Sequence, residues 1–304
     1  MESERKIAVK IVIFGGTGFI GRHLASYLNK NGYEVIIVSR TNQDRNGVVT
    51  WDELSENPKR LEASHAFINL AGETINQYWT QKAKDRIVRS RLETTKKIAD
   101  MTRRLKEKPN VVINSSAIGI YGTSQTKTFT ETNAGVANVT DDFLASVATE
   151  WERAADELAQ YTRLIKLRLG VVFGKDGGAF PKMALPYKCF VGGRIGSGRQ
   201  WLSWIHIDDL VRLIDFCIRN EQINGPVNAT APTPVTYDAF GRALANVMKR
   251  PHFFPVPSFL LKIVLGEMSQ MLLRGQKVLP CVALTNGYSF QYDTIEKALQ
   301  QLTE

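Results

Sequence analysis

The chain has 304 residues, 43% of them hydrophobic and 23% charged, an ordinary globular balance that excludes disordered, collagen-like and coiled-coil architectures. At roughly 150 residues per domain, this length suits about two domains or one large α/β domain with an appendage. The 39 basic and 30 acidic residues leave a net charge of +9, which admits nucleic acid, a membrane surface or an anionic small molecule as partner. No apolar run reaches the roughly 18 residues of a membrane span, and the polar stretch Met1 to Lys10 does not read as a secretory signal. Cys189, Cys217 and Cys281 are widely spaced, fitting neither a disulfide framework nor a metal site, so a cytoplasmic protein is expected. His23, His65, His206 and His252 show no ligand spacing, and no metal is expected. The densest basic cluster, from Lys82 to Lys108, is interleaved with acids and has no aromatic stacking platform. It reads as a solvated helix face, so neither nucleic acid nor membrane is an expected partner.

In chain order, Val9 to Phe14 is a short apolar run ending in Gly-Gly, the mark of a strand buried on both faces of a parallel sheet. Phe19 to Lys30 has helical spacing and stops at Asn31-Gly32. Further strands are predicted at Glu34–Ser39, Ala66–Leu70, Val111–Ser115 and Thr162–Leu169, with helices at Thr80–Lys106 and Phe143–Gln160 between them. This alternation predicts a doubly wound parallel α/β sheet of Rossmann type. After Phe173 the pattern changes to a glycine-rich loop with a short helix. A strand at Trp201–Ile207, a helix at Asp208–Arg219, a strand at Pro226–Thr230 and a helix at Tyr237–Met248 follow. Pro251–Pro257 reads as extended, ahead of two apolar helices at Ser258–Gly266 and Glu267–Arg274. Residues 1–173, with returns near 200–230, are the expected nucleotide domain, and 174–304 mainly a small α/β substrate cap.

The strongest local signal is Gly15-Gly16-Thr17-Gly18-Phe19-Ile20-Gly21, set between a buried strand and a helix. A tight strand-to-helix turn needs dihedrals that glycine tolerates. Bare backbone lets N–H groups approach a pyrophosphate, and the helix N-terminus offers it partial positive charge. Gly15, Thr17, Gly18, Phe19 and Ile20 are therefore expected at a dinucleotide. The second strand ends Val38-Ser39-Arg40 with no acid for a ribose hydroxyl, and Asp44 comes only later. Arg40 can pair with a 2′-phosphate and Ser39 can donate to it, which favours NADP(H) over NAD(H).

These residues resemble the extended short-chain dehydrogenase/reductase superfamily, in its NAD-dependent epimerase/dehydratase group. Asn69-Leu70-Ala71-Gly72 looks like the superfamily's N-x-A-G element, Ser115 to Gly122 like its S-S-x-x-x-Y-G strand end, and Arg168 to Gly174 like its R-x-x-x-V-x-G turn. Trp204-Ile205-His206-Ile207-Asp208-Asp209 is similar to its W-I-H-V-D-D junction. The resemblance implies that Leu70, Ala71 and Gly72 line the adenine and ribose side, and that Ser115 and Val172 also touch the cofactor. A narrower likeness, carried by Ser90 to Thr95, Trp151-Glu152, Gly196 to Gly198 and Gly275 to Pro280 with Gly287-Tyr288, is to an atypical subfamily. Its members are labelled epimerase family proteins, and some bear the older label of cell-division inhibitor. There Arg91 is expected to reach the cofactor; alternatively it forms a surface ion pair with Glu93 or Asp85.

The superfamily's redox chemistry uses a Tyr-x-x-x-Lys pair, in which the lysine lowers the phenol pKa for proton transfer. The corresponding stretch, Asp141 to Leu158, contains neither residue; Leu144 or Ala145 and Ala148 or Thr149 stand in the pair's place. Ser116, Tyr121 and Glu73 remain as catalytic candidates, while Asp141, Asp142, Glu150 and Glu152 read as solvating or capping the helix. Ser116 and Tyr121 read equally well as a strand-end cap and a packed aromatic. In the loop Gly192 to Trp204, Arg194 and Arg199 can clamp an anion and Trp201 and Trp204 can stack on a ring, unless the loop merely packs. His206 reads as structural. Two functions follow: an NADP(H)-dependent oxidoreductase or epimerase (an isomerase) acting on an anionic or nucleotide-linked small molecule, or a non-catalytic NADP(H)-binding sensor. The resemblance also implies a possible homodimer through the two long helices.

Overall fold

The first apolar run is a strand, β1 (Lys10–Phe14), buried at its last four positions, as the middle of a parallel sheet requires. The computed structural model describes residues 9–41, 47–133 and 142–304; Asp44 and Asp141 lie outside them. With numbering confined to the central sheet, β2 (Glu34–Ser39), β3 (Val48–Thr50), β4 (Ala66–Asn69), β5 (Val111–Ala117), β6 (Arg163–Leu169) and β7 (Gly225–Ala229) complete seven strands. Their spatial order is β7-β6-β5-β4-β1-β2-β3, and every pairing is parallel. The winding reverses between β1 and β4. In open α/β sheets the crevice outside the strand carboxyl ends at such a reversal receives the ligand.

Helices cover both faces. α1 (Phe19–Lys30) packs with the helix Ile207–Arg219 on one face, where Leu24 and Leu28 meet Leu210 and Ile214. On the other face, α2 (Gln81–Arg104) and α3 (Phe143–Ala155) bury Ile98, Ala99 and Ala155 against Val12, Phe67 and Val112. Thr80 and Asp142 cap α2 and α3 by accepting backbone N–H bonds. α3 ends at Ala155 and tightens into a 3₁₀ turn to Gln160, where one continuous helix was predicted.

A third core joins Phe173, Trp204, Phe240, Leu244 and Leu299 beneath the C-terminal half. The stretch predicted as one strand, Trp201–Ile207, divides between two small sheets, Trp201–Leu202 pairing antiparallel with Val235–Thr236 and Trp204–His206 parallel with Val171–Phe173. Asp209, fully buried, accepts N–H bonds from Gln291 and Tyr292 (both 2.8 Å) and ties the chain's end to the sheet.

Candidate functional site

The glycine turn sits at the sheet reversal. Gly15 is left-handed (φ +83°), donates its N–H to the Val38 carbonyl (3.1 Å), and lies so near β4 that a Cβ would stand 2.8 Å from the Ala71 nitrogen. At Gly21 a Cβ would come within 2.6 Å of the Gly15 carbonyl oxygen, so glycine lets α1 approach the turn. α1 begins at Gly18 with no side-chain cap and no acid in its first turn. Its leading amides therefore remain for an anion. The Phe19 ring fills the space above Gly174 and Gly177, Thr17 accepts a bond from Arg22 through its carbonyl, and Ile20 packs into the core.

Neighbouring strand ends supply the rest of the rim. Ser39 is buried at the end of β2, its Oγ accepting the Thr41 N–H (3.3 Å), and Arg40 beside it is exposed. Beyond β4, the Leu70 N–H bonds the Phe14 carbonyl and the Ala71 N–H bonds Asn69 Oδ1, holding Leu70, Ala71 and Gly72 against the turn. Arg91 reaches this edge from α2. Its guanidinium lies against Gly72, donates to the Glu73 and Ile87 carbonyls (both 3.0 Å) and stands 4.9 Å from the Trp151 ring centroid. Burial pulls its pKa down to about 10, against the opposing field of Glu73. No ion pair joins Arg91 to a carboxylate among the described residues, so the alternative pairing with Glu93 or Asp85 does not occur. A desolvated cation in that position suits an anionic ligand. Ser115 Oγ, near the end of β5, is buried with no hydrogen-bond partner among the described residues, and Val172 follows β6 in the strand that pairs with Trp204–His206. The glycine space, the unsatisfied Ser115 hydroxyl and Arg91 together fit a dinucleotide phosphate.

The other end of the same edge is saturated. Glu152 and Arg168, each 6% exposed, form a two-pronged ion pair (2.8 and 2.9 Å). Ser116 Oγ donates to Glu152 (2.7 Å), Arg168 donates to the Tyr121 hydroxyl oxygen (2.7 Å), and Tyr121 donates to Asn228 (2.8 Å). Burial opposes the Arg168 charge, but Glu152 and Tyr121 hold its pKa above the usual arginine range. Burial pushes the Tyr121 phenol up against the pull of Arg168, the wrong direction for a proton-transfer tyrosine near neutrality. Glu152 therefore does not solvate or cap its helix, as the sequence suggested; it is the centre of a buried network. That network escaped sequence reading because its members lie on α3, β5 and the 3₁₀ turn after it, β6 and β7, with no local spacing to join them.

On α3, Leu144 packs against Gly119, and Ala148 against Ile118, Ile120 and Tyr121. Aliphatic groups thus face the turn after β5. Of the three catalytic candidates only Glu73 keeps its side chain out of a network, accepting a single long bond from Gln77 (3.4 Å). Trp204 departs from its expected place in the substrate loop. It is 0% exposed, stacks on Phe173 (5.8 Å between centroids) and donates to the Thr233 carbonyl, leaving no face for a ligand. Its alternation with Trp201 across a split strand sends it inward. Arg194 and Arg199 are exposed. His206 is structural, as expected: it caps the next helix by accepting the Asp208 N–H, and its other ring nitrogen meets Gln301 (3.0 Å).

A family model described as "NAD dependent epimerase/dehydratase family" matches residues 11–229. The chain belongs to this family. Within the epimerase/dehydratase family it is similar to the epimerase family protein YfhF of Bacillus subtilis (strain 168), with 44% identity over 97% of this chain and 98% of that protein. The epimerase family protein SDR39U1 homolog, chloroplastic, of Arabidopsis thaliana is 37% identical over 99% and 89% of the two chains. A crystal structure of human epimerase family protein SDR39U1 (isoform2) with NADPH superposes with a TM-score of 0.89 at 35% identity, covering 97% of this chain and 99% of that one. A second family model, "Domain of unknown function (DUF1731)", matches residues 256–302, in the C-terminal half.

Proposed function

We propose that this epimerase-family chain binds NADP(H) along the edge from β2 to β6 and acts as an oxidoreductase or epimerase on an anionic or nucleotide-linked small molecule, without a Tyr-x-x-x-Lys pair. The observation that carries the reading is the glycine turn beside Arg40: uncapped amides for the pyrophosphate and an exposed guanidinium past β2 for the 2′-phosphate. The human relative's NADPH supports the same choice. Gly15, Thr17, Gly18, Phe19 and Ile20 would hold the pyrophosphate, Ser39 and Arg40 the 2′-phosphate, and Leu70, Ala71 and Gly72 the adenine and ribose side. Arg91, Ser115 and Val172 would complete the site. When bound, the nicotinamide supplies or accepts hydride. Arg194 and Arg199 would steer an anionic substrate toward the cleft, and Glu73 is the group left to take or give a proton. Residues 1–173 with the returns near 200–230 serve as nucleotide domain, and 174–304 mainly as cap. No helix among the described residues is long and apolar enough to cross a membrane, and Cys189, Cys217 and Cys281 are all free thiols, which supports a reducing compartment.

A second reading, an NADP(H)-binding sensor without turnover, is favoured by one observation: the Ser116 and Tyr121 hydroxyls are both engaged inside the protein. Calorimetric titration tests the cofactor. Arg40→Ala should weaken NADPH about tenfold, the loss of one charge-assisted contact, and leave NADH unchanged; equal loss for both refutes the 2′-phosphate role. Following NADPH absorbance over a panel of anionic carbonyl compounds and nucleotide sugars, with Glu73→Gln as control, separates enzyme from sensor. Stoichiometric binding with no turnover across the panel favours the sensor.

A further inference from the structure

Two stretches of the C-terminal half carry basic residues and no acid. Residues 177–207 contain Lys182, Lys188, Arg194 and Arg199 and no acid; residues 239–266 contain Arg242, Lys249, Arg250 and Lys262 and no acid. Folding brings the two stretches together. Phe253 and Phe254 both donate to the Gly192 carbonyl (3.1 and 3.2 Å), Val256 donates to the Arg194 carbonyl (2.8 Å) and Gly196 donates to the Val256 carbonyl (2.9 Å). The Arg250 guanidinium stands 4.2 Å from the Phe190 ring centroid.

The surface they share is also apolar. Phe190, Val191, Phe253 (67% exposed) and Phe254 lead into the helix Ser258–Leu265, none of whose residues is buried. Phe259, Leu260, Ile263 (76%) and Val264 lie on one side of that helix and point outward. A surface helix of a water-soluble domain normally turns its apolar stripe to the core; this one does the reverse. Lys188, Lys249 and Lys262 are exposed beside the apolar groups. The acids at the margins are already engaged, Asp238 by Arg242 and His252 and Glu267 by Lys84.

We propose that this face docks on an anionic lipid surface, with the helix Ser258–Leu265 lying in the interfacial plane. Aromatic and aliphatic side chains enter the headgroup boundary while lysine and arginine meet the phosphates. The charge selects the occupant: a second copy would set two acid-free basic stretches against their like, whereas an anionic bilayer neutralises them. The sequence expectation of no membrane partner rested on the lack of a long apolar run and on the acid-interleaved cluster Lys82 to Lys108, whereas this surface is assembled from two other, separate segments.

Flotation of the full chain with vesicles of phosphatidylcholine and phosphatidylglycerol in equal parts, against phosphatidylcholine alone, tests the proposal. Binding is expected to the anionic vesicles only, weakening as salt rises. Phe253→Glu with Ile263→Glu should lower the bound fraction at least about tenfold, and Lys249→Glu with Lys262→Glu should lower it about as far. All four positions are exposed, so unchanged circular dichroism and NADPH titration should accompany the loss. Absence of binding to either vesicle overturns the proposal, and so does binding that the apolar substitutions leave intact. A concentration-dependent dimer that Ile263→Glu dissolves, with no vesicle binding, would assign the face to a second copy and also overturn it.

Discussion

The two ends of the sheet's ligand edge solve opposite problems. From β1 to β4 the edge is bare backbone. Gly15, Gly18 and Gly21 remove side chains, and the α1 amides are left uncapped. From β5 to β7 it is side chain against side chain, with Ser116, Glu152, Arg168, Tyr121 and Asn228 satisfying one another. The first arrangement has binding capacity in reserve; the second has spent it on holding α3 to the sheet. Family membership alone would lead one to look for chemistry in the hydroxyls of Ser116 and Tyr121, yet these belong to the saturated end.

The sharpest break of this contrast is Glu152→Ala. It leaves the Arg168 guanidinium buried without its carboxylate, and should cost about 3–5 kcal/mol in denaturant unfolding. A loss near zero would mean that the network does not hold the β5–β7 end together. At the bare end, Gly15→Ala places a Cβ at a positive φ and against Ala71. Strain of about 1–3 kcal/mol should appear as an NADPH affinity roughly 10- to 100-fold weaker. Unchanged calorimetric affinity would remove the turn from the site. Tyr121→Phe sharpens the division: it deletes one buried donor and leaves Asn228 and Arg168 short of a partner, so about 1–2 kcal/mol of stability should go while the NADPH affinity stays as it was. A joint fall of both would show that the two ends are coupled.

The smallest effect concerns pH. Burial holds the His206 pKa below the ordinary imidazole value, against the pull of Asp208. Below about pH 6.5 the unfolded chain takes up a proton that the native imidazole resists. Stability should therefore be fully present above that pH and decline as pH falls. His206→Asn, which keeps a capping side chain, should flatten the slope in thermal melts between neutral and mildly acid pH. An unchanged slope would place the acid sensitivity elsewhere.

Much of the fold was legible because its signals are local. The short apolar runs at Val9–Phe14 and Glu34–Ser39 read as strands and form β1 and β2, although only the last two residues of β2 are buried, and the helical spacing from Phe19 to Lys30 ends at Asn31-Gly32. β3 (Val48–Thr50) was not foreseen, since three residues give too little periodicity to read. The same contrast divides the site. Gly15 announces itself because its left-handed backbone and lack of space admit no other residue comfortably. Glu152 and Trp204 misled because a carboxylate on a helix and an indole in a loop are read from composition as solvent-facing, and only distant strands show otherwise.

By itself the sequence determined the parallel sheet, the glycine turn and the run of residues at the end of β2, all of which rest on backbone conformation and on neighbours within a few positions. Tertiary structure alone decided that Glu152 meets Arg168, that Ser116 and Tyr121 are consumed, that Trp204 is core, and that two acid-free stretches form one apolar basic face. Those outcomes depend on which side chains β5, β6, β7 and the C-terminal helices bring within a few ångströms, and spacing along the chain carries no record of it.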